Sequence, residues 1–271
     1  MSVAQNAPRF TSLPPSIPVA PRLAFTLLEL LIVIAILAVV SSMLLPALSR
    51  AKALGRQTVC RNNLRQLTTA QTLYAQDNDE QIARESFEPN GVTLNLWGQV
   101  SHPLGRDVWY NALLRTMGMR EAQEFEPPAA RQDFYGPNQI IHCPTARFPN
   151  RASADEVAFF SIAMNSKLIL RPASTIKLST ILYPSETVMF LDNRLPDEPA
   201  IDSEQTRIAL GQPSAYASRF VARHQGNGQL AFSDGHIETS SGRIVVTNGL
   251  APFPPVGITW TANPSRNPNL E

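Results

Sequence analysis

The stretch from Phe25 to Leu48, FTLLELLIVIAILAVVSSMLLPAL, has no lysine or arginine, a single acid, and otherwise mostly aliphatic residues. As a helix it is roughly 36 Å long at ~1.5 Å per residue, enough to cross the ~30 Å hydrocarbon core of a bilayer. It reads as a membrane segment, and the rest of the chain has to be understood around it. The acid, Glu29, is the anomaly. An ionisable group in such a run costs on the order of 3 kcal/mol on insertion scales and calls for a partner.

Residues 1–24 contain Arg9 and Arg22, no acids and five prolines. This composition suits a disordered, cytoplasm-facing leader. A secretory signal peptide would have an apolar core of only ~7 to 15 residues, closed by a small-x-small cleavage site. Here the apolar run is longer, and Pro46 and Ser49 form no such site.

Arg22-Leu23-Ala24 followed by Phe25-Thr26-Leu27-Leu28-Glu29 resembles the processing signal of type IV pilins and type II secretion pseudopilins. The resemblance implies that a prepilin peptidase cuts between Ala24 and Phe25, methylates the new amino terminus and leaves the apolar helix in place. Ala24 stands where the family usually has Gly. In a helical filament Glu29 of one subunit can then pair with the Phe25 amine of its neighbour, which offsets the burial cost and sets subunit register. The plainer alternative is a signal anchor whose glutamate snorkels to the interface.

Beyond the membrane run, Ser49 to Asp77 places Cys60, Leu64, Leu67, Gln71 and Tyr74 on one stripe of a largely polar helix. A continuous helix from Phe25 to about Asp77 is expected, with soft points at Pro46 and Gly55. The run CRNNLRQLTTAQTLYAQDND is similar to the spine of a pseudopilin-like subgroup. Asn62, Asn63, Arg65 and Gln66 read as its solvated face. The resemblance implies an α+β lollipop, a long spine helix packed on a C-terminal antiparallel β-sheet with a loop-rich insertion. The expected divisions are a leader at 1–24, a transmembrane and filament-core helix at 25–48, an amphipathic continuation at 49–77, and a periplasmic head at 78–271. With 23 prolines and 17% charged residues, the head should be rich in loops and short strands.

Between residues 78 and 150, Trp97, Trp109, Tyr110 and Phe134 read as core anchors, and Asp107 to Met117 as a short helix capped by Asp107. Strands are expected at Glu156 to Met164, Thr187 to Leu191, from Phe220 to His224, and at Arg243 to Val246, before an irregular tail onto which Trp260 docks. In HQGNGQLAFSDGHIE, Gly226-Asn227-Gly228 supplies residues tolerant of positive φ. Asp234-Gly235 reads as a type I′ turn pairing Ser233 with His236 and setting Phe232 opposite Ile237. His224, nine residues and Asp234-Gly235 also resemble the terminal marker of one prepilin-like subgroup, here a structural hairpin motif.

Only two cysteines occur, Cys60 and Cys143. In an oxidising compartment they could close a disulfide; otherwise they pack as buried thiols. Two cysteines alone make no metal site. Calcium is the better metal idea, with Asp192, Asp197, Asp202 or Asp234 as oxygen donors, although no EF-hand spacing exists and no cofactor is required. A net charge of +1 gives no support for nucleic-acid binding. No Gly-x-Ser-x-Gly elbow, phosphate loop or His-Glu-x-x-His signature points to an enzyme.

The expected role is therefore structural: a single-pass inner-membrane prepilin with a periplasmic head, serving in a type II secretion pseudopilus or type IV pilus-like filament. Its partners would be prepilin peptidase, copies of itself and related subunits, and an inner-membrane assembly platform. The competing classes are a monomeric anchored binding module and an anchored hydrolase.

Overall fold

The structure is a computed structural model in which residues 25–85, 95–149, 156–168, 176–201, 210–250 and 257–263 are described, 247–250 by backbone alone. The leader with Ala24, Asp202 and most of the expected tail lie outside them. The chain divides into two units, Met1–Ser49 and Arg50–Glu271.

Helix α1, Leu27–Asp77, runs through both units and contains Pro46. Its start is set by a reciprocal pair of hydrogen bonds. Glu29 Oε2 accepts from the Thr26 amide at 2.8 Å, and Thr26 Oγ1 accepts from the Glu29 amide at 3.2 Å. This capping box satisfies two donors at the helix start. In the second unit, α1 buries Cys60, Leu64, Leu67 and Gln71, the expected stripe, with Tyr74 partly buried at its end. Asn63 departs from the expected solvated face. It is buried and donates to the His142 carbonyl at 2.9 Å, because a loop of the head crosses the helix there. The helix ends where Asp79 and Glu80 take φ of 52° and 65° and the Glu80 amide closes onto the Ala75 carbonyl.

The sheet contains β1 (Ile162–Asn165), β2 (Val188–Asp192), β3 (Ser214–Ala215), β4 (Asn227–Phe232) and β5 (Ile237–Ser241), in the order β3-β1-β2-β4-β5. All pairings are antiparallel except that of β1 with the two-residue edge strand β3. The arrangement is α+β and pilin-like, with a long N-terminal helix packed against a mostly antiparallel sheet.

Alternation along the strands produces two cores. Ile162, Met164, Phe190 and Ala231 face Leu64, Leu67 and Trp109, while Ala163, Leu191, Leu230 and Phe232 join Val245, Val246 and Trp260 on the other side. Trp97, Trp109, Tyr110 and Phe134 are all core residues, as expected. Much of the loop-rich head is held by buried asparagines. Asn193 donates to the Phe160 and Gln212 carbonyls, both at 2.7 Å, and Asn165 to those of Val188 and Trp260, both at 2.8 Å. Each such amide satisfies carbonyls that no strand ladder reaches.

Several local expectations are corrected. Residues 157–161 are largely irregular, and β1 begins only at Ile162. Phe220 and His224 make only isolated bridges, to Asn193 and Asn227. The segment expected as a last strand lies in a helix, α5 (Gly242–Leu250), numbered after α2 (Trp97–Val100), α3 (Trp109–Thr116) and α4 (Arg131–Phe134). Gly242, Val245 and Val246 are buried while Arg243 and Ile244 are exposed, a helical spacing that overrides the β preference of the Ile-Val-Val run. Asp107 does not cap α3. Val108 is its N-cap residue, and Asp107 reaches Arg115 at 3.5 Å instead.

Gly228 in β4 has no room for a Cβ, which would collide with the Val221 carbonyl and the Phe220 ring, whereas a Cβ on Gly55 in α1 would meet nothing within 4 Å. Gly228→Ala is expected to destabilise the head by about 1–3 kcal/mol. Gly55→Ala should be neutral or stabilising by up to about 1 kcal/mol. Denaturant unfolding of the full chain in detergent checks both.

Candidate functional site

Among the described residues, two regions carry candidate functional side chains. The first is the start of α1. Every residue from Phe25 to Lys52 is exposed, and Leu27 reaches 80%. The helix contains a window long and apolar enough to cross a membrane, none of it buried within the chain. Glu29 sits at the start of this surface, its Oε2 also accepting from the Thr26 hydroxyl at 2.8 Å. The Thr-x-x-Glu spacing that produces this cap is legible in the sequence, alongside the charge.

The second region is a polar cluster buried between the second half of α1 and the sheet. Asp192, at the end of β2, is its centre. Asp192 Oδ2 accepts from the Gln229 amide of β4 at 2.8 Å and lies 3.8 Å from His224 Nε2. Its Oδ1 accepts from the Cys60 thiol of α1 at 3.3 Å and lies 3.4 Å from Arg223 Nη1. Cys143 Sγ is 3.4 Å from His224 Nε2 and 3.0 Å from Thr145 Oγ1. The expected bridge is not formed: Cys60 and Cys143 are free, buried thiols, although the fold brings them together.

Arg223 and Glu198 complete the cluster. Arg223 Nε and Nη2 grip the two carboxylate oxygens of Glu198 at 2.6 and 2.7 Å. Its remaining hydrogens go to the Ser161 and Asn193 carbonyls and to Asp192 Oδ1. The bidentate fork suits a planar carboxylate and fixes both side chains. Neither residue was singled out by sequence reasoning. The signal for Arg223 was a charge embedded in the run FVARH, next to a histidine.

The electrostatics follow from crowding in a dry space. Burial pushes Asp192 up to about 7, the charge on Cys143 adds to the rise, and Arg223 and His224 oppose it. The mutual interaction of the two cysteines shifts them in opposite directions. It draws Cys143 well down, with help from His224 and Arg223, and drives Cys60 well up, with help from burial. Burial works to lower His224, but the Cys143 contact and Asp192 outweigh it and its pKa rises.

His224, Asp234 and His236 do not converge. His224 belongs to the buried cluster, while Asp234 and His236 are exposed at the next turn. Both turns also differ from expectation, with positive φ at Gln225 and Gly226 rather than through Gly226-Asn227-Gly228, and no type I′ turn at Asp234-Gly235. At the first, the His224 and Asn227 backbones exchange both hydrogen bonds across Gln225 and Gly226, whose φ values of 56° and 84° are those of a type I′ turn. At the second, only Gly235 has positive φ, at 93°. A type I′ turn needs positive φ at both central residues, so this hairpin has three loop residues and pairs Phe232 with His236 and Ala231 with Ile237. The His236 ring stacks on Phe232 at 4.3 Å, and Asp234 Oδ1 bonds the His236 ring at 2.6 Å. Nor, among the described residues, do the oxygen donors expected for calcium assemble. Asp197 and Asp234 are exposed, and Asp192 faces sulfur and nitrogen donors.

Residues 21–45 match the family model described as the prokaryotic N-terminal methylation motif. No curated protein and no solved structure matches the chain. The matched residues contain the Ala24 to Phe25 junction, Glu29 and most of the exposed apolar run, so the motif implies processing by a prepilin peptidase and is consistent with an inner-membrane anchor. The match does not extend to His224, Asp234 and Gly235.

Removing one partner of a buried ion pair strands the other charge. Glu198→Ala should therefore cost about 3–5 kcal/mol. The exposed pair of Arg120 and Glu124, 3.7 Å apart, is the contrast; Glu124→Ala should cost under about 1 kcal/mol. Parallel urea titrations of the two variants make the comparison.

Proposed function

We propose that the chain is a structural subunit of a pilus-like filament, a type II secretion pseudopilus or a type IV pilus-like fibre, made as an inner-membrane prepilin and cut after Ala24. The observation that carries this reading is the methylation motif lying on a helix whose apolar first half is exposed along its whole length. Such a surface is stable only in lipid or against other apolar helices. The membrane stores the subunit, and sister helices replace the lipid when it polymerises. The resemblance of His224, Asp234 and Gly235 to a prepilin-like subgroup supports the same reading, with the head in the periplasm and an inner-membrane assembly platform and related subunits as further partners.

Glu29 has two roles to distinguish. Within one chain its carboxylate caps α1 through Thr26. In the filament it would turn to the Phe25 amine of the neighbour, a charge created only when the leader is removed. The order of events is thereby enforced: before cleavage the acid has no terminal amine to meet, and the uncut chain stays in the membrane. After cleavage the pair neutralises two groups that are each costly in an apolar core.

Mass spectrometry of the protein from cells with an active prepilin peptidase should show a mature chain beginning at methylated Phe25. Glu29→Gln separates the two roles, since glutamine keeps the cap but lacks the charge. This variant should be processed and remain helical yet assemble at least about tenfold less, the equivalent of about 1.4 kcal/mol per contact. Glu29→Leu should lose both. A chain that still begins at Met1, or a glutamine variant that polymerises like the parent, overturns the proposal. Processed chains that stay as lateral monomers in membrane extracts would instead indicate an anchored binding module.

A further inference from the structure

We propose that Cys60, Cys143, Asp192 and His224 form a closed, structural Zn2+ site inside the head. The four donor atoms come from α1, the Cys143 loop, the end of β2 and the residue before the Gln225-Gly226 turn. All four residues are buried, and their donor atoms lie within 4.8 Å of one another.

The edges of the group suit the ion. A tetrahedral zinc with sulfur at ~2.3 Å and nitrogen or oxygen at ~2.0 Å needs sulfur-to-nitrogen or sulfur-to-oxygen edges of about 3.5 Å and a nitrogen-to-oxygen edge of about 3.3 Å. The separations that bear on this are 3.3 Å for Cys60 Sγ to Asp192 Oδ1, 3.4 Å for Cys143 Sγ to His224 Nε2 and 3.8 Å for His224 Nε2 to Asp192 Oδ2; the first and last involve different carboxylate oxygens, so the Asp192 carboxylate turns one of them to the ion when it binds. The donor set is also selective. Two thiolates with an imidazole favour zinc over the hard cations, and calcium would need six to eight oxygens.

Charge and surroundings point the same way. Fully ionised, the two cysteines and Asp192 bring three negative charges into a dry space, where Arg223 already answers Glu198. A divalent ion removes most of that imbalance, and coordination releases to solvent the protons that the thiols, the Asp192 carboxyl and His224 Nε2 hold beforehand. The donors are themselves oriented by neighbours: the Gln229 amide on Asp192, Thr145 on Cys143 Sγ, and Ser161 Oγ accepting from the Cys143 amide at 2.8 Å. A cavity of about 80 Å³ lined by Ala53, Arg56, Gln57, Thr145, Arg223, His224 and Gln225 borders the histidine. Zinc here would tie the second half of α1 to three separate parts of the head. The competing state, a disulfide between Cys60 and Cys143, needs a two-electron oxidant and removes two of the four donors.

The test uses the full chain in detergent, purified from zinc-supplemented cells with a non-chelating phosphine reductant. Elemental analysis should find one zinc per chain. Exchange for Co2+ should produce the visible bands of a tetrahedral site and a thiolate charge-transfer band. Cys60→Ser should reduce that band by about half, as one of two thiolates is lost. Asp192→Asn and His224→Ala should each weaken Co2+ binding by more than about tenfold, while Asp234→Asn should leave it unchanged. Two titratable thiols in the parent protein with neither zinc nor a cobalt spectrum overturn the proposal, whatever the folding of the variants. So does a Cys60 to Cys143 disulfide in protein isolated without reductant. The site does not depend on the filament reading, and Glu29→Gln should bind metal like the parent even if that reading fails.

Discussion

The carboxylate of Asp192 is where helix, sheet and loops of the head meet. It is fully buried, it ends β2, and it touches α1 through Cys60, β4 through the Gln229 amide, and the Arg223 and His224 segment through both side chains. A charge so placed needs donors on every side, and those donors come from parts of the chain far apart in sequence. The head is loop-rich, with strands of two to six residues, and long ladders do not hold it. Buried polar side chains do instead: Asp192 and Arg223 at one end of the sheet, and the amides of Asn165, Asn193 and Asn111 where loops pass each other. Such networks specify one arrangement because a half-satisfied alternative is costly.

The same helix serves two different environments. Over its first half the aliphatic residues point in every direction and all are exposed, the pattern of a segment surrounded by lipid or by its own kind. From Cys60 onward the buried positions fall at intervals of three and four, and the opposite face is polar. Proline at position 46 falls in the apolar half, where the ladder loses one donor. The Thr26 and Glu29 cap gives this helix a defined beginning next to the expected cleavage point, so that one acid serves both local folding and the proposed contact between subunits.

How far the sequence could be read varied with the range of the interaction. The α1 stripe, the aromatic core and the short strand at β2 follow from periodicity and side-chain size, which act over a few residues. The turns were harder. Asp234-Gly235 is the stronger type I′ dipeptide, yet the two-residue turn is at Gln225-Gly226, because the His224 and Asn227 backbones pair there. Arg243 to Val246 has the β-branched residues of a strand, but Val245 and Val246 fill the second core from a helix. Asp107 had the look of a helix cap and pairs with Arg115 instead. At the helix a tertiary contact outweighed a local preference of about 1 kcal/mol; at the turn and at Asp107 the competing contacts are themselves local, an exchange across two residues and a pair eight residues apart.

The long apolar stretch, its acid and the processing motif around them were legible in the sequence alone, since apolar length and residue order are properties of a single stretch; the α+β class followed from the resemblance that these residues carry. That Cys60, Cys143, Asp192 and His224 share one buried pocket was decided only by the tertiary structure. Their positions in the chain are up to 164 residues apart by number, from Cys60 to His224, and no local rule brings such residues together. Folding a helix, a loop, a strand end and a turn onto one another did so, and the cost of leaving any of these polar groups unpartnered keeps them there.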